Sequence, residues 1–102
     1  MPEKIEIENV NIPGRTERVD RTKYMAMRKA LLAALPDTAP GMTVAEAQAA
    51  LLPFLSETDF PEQQKAGWWM KAVQLDLEAK GVIRRAPRKP VQLYRLAAAV
   101  AG

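Results

Sequence analysis

The sequence contains no cysteine and no histidine. Disulfides, thiolate nucleophiles, zinc sites of the Cys/His type and imidazole acid–base chemistry are therefore closed to it. A Gly-rich phosphate loop and a serine-centred nucleophile elbow are also missing. Carboxylates are left as candidate catalytic or magnesium-binding groups, and Asp59 with Glu62 or Asp76 with Glu78 are the pairs on offer. Asp76 and Glu78 stand two apart in a helical stretch, so they do not face one another. No catalytic residue, no metal ligand and no cofactor is expected, and a non-enzyme is favoured. No apolar run approaches the roughly 20 residues of a membrane span. The opening "MPEKIEIENV" has no apolar signal core. The expectation is a cytoplasmic protein with no membrane partner and no small-molecule ligand.

What is present fits one domain spanning residues 1–102, with 48% hydrophobic and 26% charged residues. The net charge of +3 is unevenly spread. Residues 1–64 hold seven Lys/Arg and ten Asp/Glu, whereas residues 65–102 hold eight and two. A basic C-terminal third suggests a surface that faces a polyanion; ordinary solubilising charge is the plainer account.

Ile5 and Ile7 alternate with charged residues, Asn11, Pro13 and Gly14 mark a turn, and "RTERV" returns. This pattern predicts a β-hairpin over about residues 4–19. Asp20 is a good N-cap for "RTKYMAMRKALLAALP", in which Tyr24, Met27, Leu31, Ala34 and Leu35 share one face and Pro36 ends the helix. "DTAPGM" reads as a loop. "TVAE", Thr43 to Glu46, has the form of a capping box for a second helix from Val44 to Leu52 with Val44, Ala47 and Leu51 inward. In the connection that follows, Phe54, Leu55 and Phe60 are expected to tuck onto the core. A third helix runs from Lys65 to Gly81, a natural residue to follow a helix end. "VIRR" and "VQLYRL" around "APRKP" predict a second hairpin, and residues 97–102 form a weakly specified tail.

The run "LDLEAKGVIRR", Leu75 to Arg85, resembles the join between recognition helix and wing in the winged-helix (helix-turn-helix) family of DNA-binding domains. Leu77, Glu78, Gly81, Val82 and Ile83 occupy the places of that family's Leu-Glu-x-x-Gly-hydrophobic-hydrophobic pattern. The resemblance covers roughly residues 21–96. It implies an α+β fold, a winged-helix-like three-helix core with a C-terminal β-hairpin wing, to which residues 1–20 add an extra N-terminal hairpin. The whole chain also resembles an uncharacterised family of small bacterial proteins sharing the "GWW…LDLEAKG" helix, a likeness that carries no activity with it.

The third helix holds two adjacent tryptophans, which lie about 100° apart and cannot share a face. Ala66, Met70, Val73 and Leu77 form the inward stripe, with Trp69 about 60–70° from its centre at the core margin. Trp68, Ala72, Leu75 and Ala79 face the other way. A face that enters the major groove calls for Arg, Lys, Asn, Gln, Ser or Thr. Here it offers Lys71 at its margin, while Asp76 and Glu78 would repel phosphate. Three accounts of Trp68 follow: the N-terminal hairpin buries it, an intermolecular interface covers it, or it stacks on an unpaired base.

The basic turn "RRAPRKP" is the stronger nucleic-acid feature. Arg84, Arg85, Arg88 and Lys89, with Lys71, are the candidate DNA-binding residues, and Trp68, Ala72, Leu75 and Ala79 the candidate interface for a homodimer or another partner. The first functional expectation is non-catalytic nucleic-acid binding, chiefly to DNA, through the wing. The alternative is a protein-interaction or dimerisation module of the same fold.

Overall fold

The computed structural model describes residues 3–38, 41–86 and 91–96. The alternating N-terminal segment forms strands β1 (Lys4–Glu8) and β2 (Thr16–Asp20), an antiparallel pair with Ile5 opposite Val19 and Ile7 opposite Glu17. Ile7 and Val19 turn inward and are buried, so the period-2 pattern has set the hairpin's buried side. Strand β2 runs without a linker into α1 (Arg21–Ala34), because Asp20 is both the last residue of the strand and the helix cap. Its carboxylate accepts the backbone N–H of Lys23 at 3.1 Å.

Helix α1 buries Tyr24, Met27, Ala30, Leu31 and Leu32. Met25, at the margin of this face, is exposed. The segment expected to be loop contains strand β3 (Met42–Thr43), too short for periodicity to announce, and it pairs with strand β5. Gly41 makes this approach with φ +92, and its position is so close to Leu93 that a Cβ would lie 1.9 Å from the Leu93 carbonyl oxygen.

Helix α2 (Val44–Leu51) starts with the expected capping box. The Thr43 hydroxyl accepts the Glu46 N–H at 3.1 Å, and the Thr43 N–H donates to the Glu46 carboxylate at 3.0 Å. The N–H of Thr43, foremost, and then its hydroxyl hold the Glu46 carboxyl below its ordinary range. Pro53 sits in a 3₁₀ turn, Leu52–Phe54. This turn leaves Phe54 57% exposed, against the expectation that it would join the core, while Phe60 is buried as expected.

Helix α3 (Ala66–Ala79) is entered through three non-glycine residues with positive φ, Glu62, Gln63 and Lys65. It leaves through Gly81, φ +74, into β4 (Ile83–Arg85), which pairs with β5 (Gln92–Arg95). Among the described residues the result is a mixed α+β structure of three helices and two small antiparallel sheets, β1–β2 and β3–β5–β4. Met27, Leu31, Leu51, Met70, Val73, Leu77, Ile83 and Leu93 meet at its centre. Among the described residues no helix is long and apolar enough to cross a membrane.

Candidate functional site

The inward stripe of α3 lies as the spacing predicted: Ala66, Met70, Val73 and Leu77 are buried. Trp69 is 7% exposed, and its ring meets Phe60 edge-on at 6.4 Å and Trp68 edge-on at 5.1 Å. Trp68 itself is 53% exposed.

The outward face is neither bare nor buried, because the N-terminal hairpin is fastened along it. The Val10 N–H donates to the Leu75 carbonyl at 3.3 Å, and the Glu8 N–H donates to Asp76 Oδ1 at 2.8 Å. Ala72 and Leu75 become half-buried, Ala79 stays exposed, and Trp68 is left at the rim. Between hairpin and helix lies a recess of about 340 Å³ bordered by Ile12, Arg15, Glu17, Trp68, Lys71 and Leu75, with Glu8 at its edge. The hairpin thus covers Ala72 and Leu75 in part and leaves Trp68 exposed.

Asp76 and Glu78 depart from expectation. Asp76 lies about 90° from the centre of the inward stripe. It has 0% exposed surface and points at no solvent-borne phosphate. Its carboxylate accepts the Tyr24 hydroxyl, the Glu8 N–H and the Lys80 ammonium, the last at 2.8 Å from Oδ1. This one carboxylate therefore ties α1, the hairpin and the end of α3 together. Burial foremost, and then the Asp76 carboxylate, push the Tyr24 phenol well above its ordinary pKa. The sequence signal that could have found Asp76 was the Asp-x-x-x-Lys spacing on a flank otherwise facing the core.

On the opposite flank, Glu78, with a side chain 6% exposed, accepts two hydrogen bonds from Arg85, at 2.9 and 3.1 Å, and one from the Gln74 amide at 3.0 Å. The hydrogen bonds to Glu78 hold the Arg85 guanidinium in its charged form more firmly than usual. Arg85 thus already has a planar anionic partner within the chain. Arg84 is exposed on β4 opposite Tyr94, and Lys71 is exposed beside the recess. Neither has an ion-pair partner among the described residues. Arg88 and Lys89, the remaining wing cations, lie outside the described residues. Arg84 and Arg85 are consecutive in β4 and so point to opposite faces of the sheet, while Lys71 of α3 and Arg85 border a common recess with Gln48 and Gln74. Among the described residues no group of three or more acidic side chains is placed to hold a metal ion.

Residues 4–93 match a family of unknown function, DUF6958. The chain belongs to that family. The matched span begins with β1 and ends within β5, so the hairpin, α3 and the recess between them all fall inside the family's extent. No curated protein and no solved structure matches the chain.

Proposed function

We propose that this protein is a non-catalytic docking module. Its body is winged-helix-like, and its N-terminal hairpin has turned the outward face of α3 into a recognition groove. The observation that carries this reading is the attachment of the hairpin through Val10 to Leu75 and through Glu8 to Asp76. A helix covered in this way has lost the bare face that a major groove, about 12 Å wide, would admit. What stands in its place is an exposed tryptophan beside a recess, ringed by side chains of both charges, a composition typical of protein–protein contact. The order of three helices, the turn at Gly81 and the β4–β5 hairpin support the winged-helix reading of the body, and a fold of that kind does not fix what it binds.

The test is selection of peptides against the whole protein, followed by titration of the isotopically labelled chain with the selected peptides and, separately, with duplex DNA. The docking reading expects peptide-induced shifts at the backbone amides of Ile12, Trp68, Lys71 and Leu75. Shifts confined to β4 and β5, produced by DNA alone, would overturn it.

A second reading, nucleic-acid binding through the wing, is favoured by one observation: Arg84 and Lys71 are exposed cations with no ion-pair partner among the described residues. Its signature is a fall in duplex affinity with salt, with a log–log slope of about 0.9 per phosphate contacted.

A further inference from the structure

The groove has a composition that selects among occupants. Of the five large apolar side chains left exposed among the described residues, Ile12 and Trp68 border the recess, and Val10 is bonded to the α3 backbone beside it. Four charged residues also line it, Arg15 and Lys71 against Glu8 and Glu17. None of the four is engaged in an ion pair among the described residues. An acidic peptide or a nucleic-acid strand laid here would meet two carboxylates, and a basic peptide would meet two cations. Like charges brought together at an interface oppose binding. A partner that suits this surface carries both signs in equal number, together with an apolar projection to fill the recess.

We infer that this partner is a second copy of the same chain, joined about a two-fold axis through the Trp68 face. An isologous interface requires one patch that is complementary to itself. This patch meets the requirement in two ways. Each copy has a projecting indole and, next to it, a hollow of about 340 Å³ that can receive the other's. Each also has two cations and two carboxylates, so every charge can find its opposite across the axis. The inference rests on the docking reading above and names its partner.

Sedimentation equilibrium on the full chain, from low micromolar to millimolar concentration, tests it. The wild type is expected to dimerise, and Trp68→Ala to weaken the dimer roughly thirtyfold or more, as truncation of a central tryptophan does. Two further variants probe self-complementarity without touching the apolar centre. Arg15→Glu with Lys71→Glu gives a face with four carboxylates, and Glu8→Lys with Glu17→Lys gives one with four cations. Each should be monomeric alone, and the two mixed should form a one-to-one heterodimer. Thermal melts check that each variant is folded. A wild type monomeric at millimolar concentration overturns the inference, as does a dimer indifferent to Trp68→Ala or charge-reversed chains that ignore each other. If the wild type is monomeric while selected peptides still shift Ile12 and Trp68, the second copy fails and the docking reading stands. If neither copies nor peptides touch the groove, both fail.

Discussion

The hydroxyl of Tyr24 donates to Asp76, a carboxylate with no exposed surface, across the contact between α1 and α3. The phenol is held well above its ordinary value of 10.0, by burial first and by Asp76 second. A pKa raised on folding means that the folded chain keeps the proton when the unfolded chain has lost it. The stabilisation is then fully present below pH 10 and declines as pH rises above it. Tyr24→Phe should cost about 1.5–3 kcal/mol at neutral pH, the range for a hydrogen bond to a charged group. Denaturant unfolding of both proteins should give a constant difference up to about pH 10 and a shrinking one above it. A difference that grows with pH would refute this account.

Asp76 holds more than Tyr24. Asp76→Ala removes the acceptor for Tyr24, for the Glu8 N–H and for Lys80 together. Breaking a buried charge network from one side costs about 3–5 kcal/mol. The loss should be uneven in space. Amide exchange of β1 and β2 should quicken more than that of α2, because the Glu8 bond fastens the hairpin and α2 has no contact with Asp76 among these bonds. Uniform acceleration across the chain would mean that Asp76 serves the core as a whole and does not specifically fasten the hairpin.

Gly41 is fixed by geometry. Its φ of +92 disfavours any side chain, and a Cβ would lie 1.9 Å from the Leu93 carbonyl oxygen. Gly41→Ala therefore cannot keep the β3–β5 pairing as it stands, and a loss of about 1–3 kcal/mol is expected in a thermal or urea melt. Gly14→Ala is the control, since nothing lies within 4 Å of its Cβ position, though its φ of +86 carries a smaller strain of its own.

How much of this the sequence disclosed depended on the range over which each feature is decided. The hairpin, the Asp20 cap, the Thr43–Glu46 box and the Ala66–Met70–Val73–Leu77 stripe are local, each specified by residues within one or two turns of each other. Strand β3 has two residues and exists only because β5 lies alongside. The positive φ values at Glu62, Gln63 and Lys65 could not be read either, since "PEQQK" holds no glycine and the conformation is imposed by how α3 must be entered. In the candidate site, Trp68 and its outward stripe were visible from periodicity. The roles of Asp76 and Glu78 were not, because each is decided by a partner distant in sequence or across a turn: Tyr24 and Glu8 for one, Arg85 for the other. From the helical spacing alone both read only as charges that would repel phosphate.

The wing cations should separate under mutation. Arg84 is exposed and has no ion pair among the described residues, so Arg84→Ala should change stability by no more than about 0.5 kcal/mol. Arg85→Ala removes two hydrogen bonds from Glu78, whose side chain is 6% exposed, and should cost about 1–2 kcal/mol. The half-exposed guanidinium keeps that figure below the cost of a fully buried pair. Combined substitution of Arg84, Arg85, Arg88 and Lys89 would then lower the melting temperature through Arg85. A salt titration of DNA binding should therefore use Arg84→Ala alone, and an Arg85→Ala variant as stable as wild type would show the Glu78 pair to be dispensable.

The adjacent tryptophans should differ most sharply. Trp69 is 7% exposed and braced edge-on by Phe60, so Trp69→Ala should destabilise the fold by about 3–5 kcal/mol, as aromatic truncations in a core do. Trp68 is 53% exposed and touches the core chiefly through the Trp69 ring, 5.1 Å away. Trp68→Ala should cost about 1 kcal/mol, the value of one aromatic pair and a partial burial. The comparison must be made at low micromolar concentration, because any protomer contact through Trp68 adds a stability that depends on concentration. If the cost of Trp68→Ala grows with protein concentration while that of Trp69→Ala does not, the exposed indole contributes between molecules and the buried one within them. Equal, concentration-independent losses at both positions would mean that the hairpin and α3 close over Trp68 more fully than its present exposure allows.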